Sequence, residues 1–158
     1  MSHPSLSLSR ESCTCGTCQS WCEHVPGWFL PGEAEHAAAL LNLSLADFFR
    51  QYLTVDYWMG EADRFTLRPA TTDETPGGMA PIDPRGQCVF YRDQQCAIHA
   101  AKPHECAIAV CSREIPDGTH EATGAAWEPH QVQIATLLGE PPVTPEASFD
   151  DLFSLLLP

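Results

Sequence analysis

The eight cysteines of this 158-residue chain form two groups that are far apart in the sequence. The first group, in the segment CTCGTCQSWC, has the spacing C-x-C-x2-C-x3-C and consists of Cys13, Cys15, Cys18 and Cys22. The second group has the spacing C-x7-C-x9-C-x4-C and consists of Cys88, Cys96, Cys106 and Cys111. Thiols at this density can form disulfides, carry a redox couple or bind a metal.

The sequence favours metal binding among these three chemistries. The amino terminus lacks the charged and apolar regions of a secretory signal, so we expect a cytoplasmic protein. Because the cytosol keeps thiols reduced, a cysteine-dense chain there more often binds metal or does redox chemistry than forms disulfides. A thioredoxin-like couple would need its Cys-x2-Cys in a βαβ unit, and the helices predicted after Cys18 do not provide one.

The spacing leaves the identity of the metal open. Gly16 between Cys15 and Cys18 lets the backbone turn closely enough for two thiolates to reach one ion. A ligand set made only of thiolates selects zinc, copper(I) or an iron–sulfur cluster. A four-thiolate zinc site or a 4Fe–4S cluster would each use four of the eight cysteines. The second group has no Cys-x2-Cys pair, which argues against a simple zinc ribbon.

Helices are predicted between the two cysteine groups. Apolar residues recur at helical spacing over residues 33–42 and 45–54. Ser44, with Asp47 three residues later, resembles a capping box at the start of the second helix. Residues 60–86 are rich in turn-forming residues and are predicted to be a connection.

The second cysteine group is predicted to lie on a small hairpin and a helix. Residues 87–91 and 96–99 have the composition of short strands on either side of a turn. Further helices are predicted to start near Pro103, Pro129 and Ser148, the second of them ending at Gly139. We therefore predict an α+β, mostly α fold: a small single domain of short helices with a minor β-hairpin, organised around a cysteine-ligated metal site. The domain spans residues 13–158 and follows a flexible, Ser-rich segment, 1–12.

The charge of the chain limits its partners. With 8 Lys+Arg against 21 Asp+Glu, the net charge of −13 repels nucleic-acid phosphates and anionic membrane surfaces. No apolar run approaches the roughly 20 residues needed to span a bilayer. Most of the few cationic residues lie within four residues of a cysteine, where they could offset thiolate charge: Arg10, Arg85, Arg92, Lys102 and Arg113. The expected partner is a metal ion, with no nucleic acid and no membrane; the sequence does not identify a protein partner.

Five segments follow one another in an order that is typical of a known family. They are Cys15-Gly16-x-Cys18-x3-Cys22, the helical segment LSLADFFRQY, Gly86-x-Cys88-x-Phe90, Cys96-x-Ile98-His99 and Lys102-Pro103-x2-Cys106. Together they resemble the YkgJ-like family of cysteine-cluster proteins, zinc- or iron-chelating domains with a CxxCxxCC signature. The family has adjacent cysteines where this chain separates Cys18 from Cys22, and its first cysteine falls near Ser12, where this chain offers Cys13.

The resemblance implies a small α-rich metal-binding domain. The ligands carried over from the family are Cys15, Cys18, Cys22, Cys88, Cys96 and Cys106. Cys13 and Cys111 are additional thiols that could complete a second four-thiolate site. His99 matches a family position and is the best histidine candidate for a ligand or a hydrogen-bond donor.

The predicted function is a cysteine-rich metal-binding protein that holds an iron–sulfur cluster or zinc through thiolates of both groups. Two alternatives remain: a metal-handling protein for storage or delivery, and a group-transfer enzyme related to flagellin lysine methylases, which carry a similar cysteine cluster. The chain contains no Gly-x-Ser-x-Gly, P-loop or His-Glu-x2-His motif. Trp28 and Trp58 could line a pocket, although packing in the core is the default expectation for tryptophan.

Overall fold

The structure is a computed structural model, and it describes residues 15–59, 63–81, 84–111 and 114–143. Three predictions fall outside these residues: the flexible amino-terminal segment, the ligand Cys13 and the helix near Ser148. Within the described ranges, no helix combines the length and the apolar character that crossing a bilayer requires.

The described chain forms one small, mostly helical domain with a two-stranded antiparallel hairpin and a second, very short one. The helices are α1 (Gly16–His24), α2 (Glu33–Leu40), α3 (Leu45–Tyr52), α4 (His104–Ile108), α5 (Thr119–Trp127) and α6 (Gln131–Leu138). The strands are β1 (Leu53–Met59), β2 (Asp63–Pro69), β3 (Tyr91–Arg92) and β4 (Gln95–Cys96). Short 3-10 helices cover His99–Ala101 and Glu128–His130. The predicted fold class is confirmed.

Helix α3 begins where the sequence predicts. The Ser44 hydroxyl accepts a hydrogen bond from the Asp47 amide at 3.1 Å, which caps the first turn of the helix. Phe48 and Phe49 lie on the apolar face and are fully buried. Arg50 forms an ion pair with Asp47 on the solvent side, one turn earlier. The cap and the apolar spacing together set this helix against the core.

The β1–β2 hairpin occupies part of the segment that the sequence predicts to be a connection. Its register runs from Leu53 opposite Pro69 to Met59 opposite Asp63. The strand β1 starts directly at the end of α3, so helical spacing in the sequence continues into the first residues of a strand. In β2 the apolar Phe65 and Leu67 alternate with polar residues, and two of these, Thr66 and Arg68, are also buried. Hydrophobicity alone therefore does not reveal the strand.

Helices α5 and α6 pack against β2 and close the core on that side. Trp127, at the end of α5, is fully buried and its Nε1 donates to the Phe29 carbonyl at 2.7 Å. The predicted helix near Pro129 is α6, and it ends at Gly139 in the left-handed conformation with φ 77°. Helix α5 was not expected from the sequence because its apolar residues are mainly small alanines.

The second hairpin carries part of the cysteine chemistry. Tyr91 pairs with Cys96, and the turn between the strands places Asp93 and Gln94 at φ 50° and 62°. The predicted hairpin is therefore present, but its strands are shorter and lie closer to the turn than predicted. Pro103 directly precedes α4, as its fixed φ favours at a helix start.

Candidate metal centre

Three cysteines drawn from both groups form a compact cluster, called here the triad: Cys15, Cys18 and Cys111. Their Sγ atoms all lie within 4.8 Å of one another, and those of Cys15 and Cys111 are 3.6 Å apart. That distance is far longer than a disulfide bond of about 2.05 Å. The Cys18 amide points at the Cys15 sulfur at 3.4 Å, and the Cys111 amide at the Cys18 sulfur at 3.3 Å. The triad is close enough to hold a metal ion.

The spacing of the triad suits a single thiolate-ligated ion. Zinc–sulfur bonds of about 2.3 Å in a tetrahedron place the sulfur atoms about 3.8 Å apart. Among the described residues, the triad is the only group of three or more cysteine, histidine or acidic ligand atoms this close together. Cys15 and Cys111 are exposed, whereas Cys18 is buried. The two amides directed at the Cys15 and Cys18 sulfurs are donors of the kind that stabilise metal-bound thiolates.

Four other cysteines line a second, small cavity and are called here the tetrad: Cys22, Cys88, Cys96 and Cys106. All four are free thiols. The cavity between them has a volume of about 20 Å³, which is room for about one water molecule. Apolar side chains such as Phe90 and Ile98 also line it. The four tetrad thiols therefore line a small, mostly apolar cavity.

Burial and mutual proximity disfavour free thiolates at Cys88, Cys96 and Cys106. The pKa of Cys88 is raised to about 11, mainly by burial and to a smaller extent by the neighbouring sulfurs of Cys96 and Cys22. The pKa values of Cys96 and Cys106 are likewise raised, mainly by burial. These thiols stay protonated unless a positive charge enters the cavity, which is the condition that a bound metal fulfils.

Hydrogen-bond donors and one cation offset part of this effect. The Gly27 amide donates to the Cys106 sulfur at 3.1 Å. Backbone amides of Phe90 and Tyr91 lower the Cys88 pKa against the larger effect of burial. Lys102, which is buried, lines the same cavity, and its charge lowers the Cys96 pKa. These are the donors and cations that stabilise metal thiolates and iron–sulfur clusters.

Helix α1 explains why the first cysteine group divides between two sites. The sequence suggests a tight turn after Cys15, but Cys15 is the cap of a helix that contains Cys18 and Cys22. With a rise of about 1.5 Å per residue, Cys22 lies about 6 Å farther along the helix axis than Cys18. Cys18 therefore reaches the triad at one end of α1, and Cys22 reaches the tetrad at the other.

Cys88 is positioned by a folded loop rather than by a regular strand. Asp73 accepts hydrogen bonds from the Arg85 and Gly86 amides, both at 2.8 Å. A single bridge then pairs Thr71 with Cys88. The Cys88 amide also donates to the Glu23 carbonyl of α1 at 2.7 Å, which joins the two cysteine groups through the backbone.

The structure therefore places seven of the eight predicted ligands in two sets, and the eighth, Cys13, lies outside the described residues. Cys111, which the resemblance treats as an additional thiol, joins Cys15 and Cys18. His99 lies in a 3-10 helix and is not among the described residues that line the tetrad cavity. Sequence reasoning did not find Gly27, because nothing in its local sequence marks it as a donor to sulfur.

Comparisons with family models, with curated proteins and with solved structures find no match for this chain.

Proposed function

We propose that this protein is a thiolate-ligated metalloprotein with two metal centres, one at the triad and one at the tetrad. The observation that carries the proposal is the position of Cys111, which comes within 4.8 Å of Cys15 and Cys18 although it lies more than ninety residues away in sequence. Both centres combine thiols of both cysteine groups. Since the thiols must stay reduced, the proposal includes a reducing compartment such as the cytosol. Membership of the YkgJ-like family is part of the same proposal.

The tetrad is the proposed site of an iron–sulfur cluster. Four cysteine thiolates are the ligand set of a 4Fe–4S cluster. No three tetrad sulfurs are as close together as those of the triad, whose spacing is that of the ligands of a single ion. The cavity of about 20 Å³ has room for one water-sized group, so the tetrad sulfurs must move apart when a cluster binds. When bound, the cluster supplies electron transfer or a structural crosslink, and this chain supplies the amide donors and Lys102 that stabilise its charge.

The triad is the proposed site of a zinc ion. Its sulfur spacing agrees with zinc coordination, and a fourth ligand is needed to complete a closed structural site. Cys13 is two residues before Cys15, and two residues of chain reach at most about 7 Å, so Cys13 is the fourth ligand that the sequence favours. This assignment of Cys13 rests on the sequence alone.

The test is metal and sulfide analysis, with an ultraviolet–visible spectrum, of the full chain purified under nitrogen. We expect about four irons and one zinc per chain, with broad absorption in the violet. Cys96→Ser should remove the iron and the absorption and leave the zinc, whereas Cys111→Ser should remove the zinc and leave the iron. Each variant is the matched control of the other, because both delete one thiol of the second cysteine group.

The metal content decides the proposal. Protein that carries neither iron nor zinc, after anaerobic purification and after reconstitution with both, would overturn it. Zinc at both sites would overturn the cluster and keep the thiolate-ligated metalloprotein. Equal loss of both metals in both variants would show one shared centre instead of two.

Exposure at the triad favours metal handling as a second candidate function. Cys15 and Cys111 are exposed, so an ion there is accessible to a competing ligand. A protein that delivers zinc should lose it to a chelator within minutes while its circular dichroism and its iron content stay unchanged. Zinc that is released only on unfolding would exclude this candidate.

A further inference from the structure

A second and larger cavity lies next to the tetrad cavity. Its volume is about 350 Å³, which is within the size range of small-molecule sites. Pro26 lines both cavities. The next residue, Gly27, lines the larger cavity, and its amide donates to the Cys106 sulfur of the tetrad. The functional groups that line the larger cavity include Trp28, Trp58, His120, Asp56, Glu105 and Arg68.

Three aromatic rings form one side of this cavity. The ring centroids of Trp28, Trp58 and His120 are 6.2, 5.7 and 6.5 Å apart. The Trp58 and His120 rings are inclined by only 24°, and the Trp28 ring stands at 89° and 70° to them. The three rings pack against one another, and this cluster, called here the aromatic box, lines one side of the cavity. A cation at its mouth can lie within about 6 Å of all three centroids, as cation–π attraction requires.

Carboxylates hold the box in place. Trp28 Nε1 donates to Asp56 Oδ2 at 2.9 Å, and the Trp28 amide donates to Glu105 Oε2 at 3.2 Å. The other Glu105 oxygen lies 2.9 Å from His120 Nδ1. Asp56 and Glu105 fix Trp28, and Glu105 also fixes His120. These two rings are therefore positioned before any ligand arrives, which lowers the entropy lost on binding.

The charge around the cavity favours a cationic ligand. Arg68 is the only Lys or Arg among the described lining residues, and three carboxylates surround it or face the cavity: Asp56, Glu74 and Glu105. Its guanidinium donates to Asp56, to both oxygens of Glu74 and to the Pro69 carbonyl, so its charge is neutralised within the protein. Even if His24 and His120 are both counted as cations, these groups carry no net positive charge. An anionic ligand would find no unpaired arginine or lysine in this cavity.

We propose that this cavity binds an organic ammonium ion, whose alkyl groups lie against the tryptophans and whose charge faces the aromatic box and the carboxylates. The proposal does not depend on either metal centre, because none of its contacts is made by a thiol. Aromatic boxes recognise ammonium groups because the ring faces are electron-rich and the ion carries a hydration shell that is easily removed.

The test is titration of the full chain with three probes. Binding is measured by tryptophan fluorescence and by calorimetry. The probes are choline, ethanolamine and the neutral isostere of choline in which a tert-butyl group replaces the trimethylammonium group. We expect choline to bind at least about tenfold more tightly than the isostere, since cation–π attraction adds to the apolar contacts that both probes make. Comparison with ethanolamine tells whether the site prefers a methylated or an unmethylated ammonium group.

Three variants locate the binding site. Trp58→Leu should weaken choline binding about tenfold, because one face of the box is lost. His120→Ala should also weaken it, whereas His130→Ala should not, because His130 packs on Trp127 outside the cavity. Iron and zinc are measured in every sample, so a failure of ammonium binding is separated from a failure of metal binding.

Three results would overturn the proposal. Equal affinity for choline and its isostere would make the cavity an apolar site. Absence of binding of both ammonium probes at millimolar concentration would leave no ammonium site. Unchanged choline affinity in a folded Trp58→Leu variant would place the binding elsewhere in the chain.

Discussion

The substitution Gly27→Ala tests how closely the segment before Trp28 must approach α4 for the tetrad to form. An added Cβ at Gly27 would lie 2.7 Å from the Glu105 Cβ and 2.8 Å from the Cys106 amide nitrogen. Ordinary contacts of this kind begin at 3.4 Å, so the two segments must separate by the difference between 3.4 and 2.7 Å, about 0.7 Å. Alanine keeps the amide that donates to the Cys106 sulfur, and only its distance changes.

The expected effect is a loss of stability together with a loss of iron. Forcing an extra methyl group into a packed contact costs about 1–3 kcal/mol. For a chain of this size that lowers the midpoint of thermal unfolding by roughly 2–12 °C. Displacement of Cys106 from the other tetrad thiols should also reduce the iron content of protein purified under nitrogen, while the zinc of the triad stays.

Gly16→Ala is the matched control, because it adds the same methyl group next to the other site. A Cβ at Gly16 meets no atom within 4 Å, and the residue begins α1. The change should therefore leave metal content intact and alter stability by less than about 1 kcal/mol, in the stabilising direction. If Gly27→Ala melts at the temperature of Gly16→Ala and keeps its iron, the close approach does not support the tetrad.

Three further predictions concern thiols, pH and metal removal. Cys18→Ala should lose metal at the triad and Cys88→Ala at the tetrad, and each variant should lose solubility. Elemental analysis of protein purified under nitrogen checks this. A variant with the metal content of the wild type would show that its cysteine is not a ligand. The Thr71 hydroxyl and the backbone amides lower the pKa of Asp73 to about 2, so its ionised form stabilises the fold above about pH 4 and this contribution is lost as the pH falls towards 2. Asp73→Asn should flatten the stability profile in that range, and an unchanged profile in chemical denaturation would contradict it. Removing all metal should release α1 first, visible as faster amide exchange over Gly16–His24 than over α3; uniform exchange across both helices would count against it.

The helices could be predicted where apolar spacing and capping residues agree, and α3 is the best example. The β1–β2 hairpin could not, because its strands bury polar side chains that a sequence pattern counts as exposed. Thr54 and Thr66 are fully buried, and so is nearly all of Arg68. Arg68 is buried because Asp56 and Glu74 neutralise it, and these partners are brought together only by the fold.

The cysteine spacing was sufficient to predict a thiol-rich site, but it could not assign the thiols to sets. Cys18 and Cys22 are neighbours in sequence, yet they serve the triad and the tetrad because a helix separates them along its axis. Cys111 follows an apolar run and is equally compatible with a buried thiol in the core. Its amide contact with the Cys18 sulfur is a tertiary feature that no local pattern encodes.

The role of α1 follows from its small contribution to the buried core. Helix α3 contributes Phe48 and Phe49 to the core, whereas the only buried residue of α1 is Cys18. A nine-residue helix is unstable alone, because nucleation is unfavourable and few hydrogen bonds follow it. The described hydrogen bonds and sulfur contacts that attach α1 to the rest of the domain involve its cysteines and Glu23, which accepts from the Cys88 amide and from the Gln87 side chain. Metal coordination at both ends of α1 would therefore supply the tertiary stabilisation that apolar packing supplies to α3, which explains why its cysteines, and not its apolar residues, are spaced along one helix face.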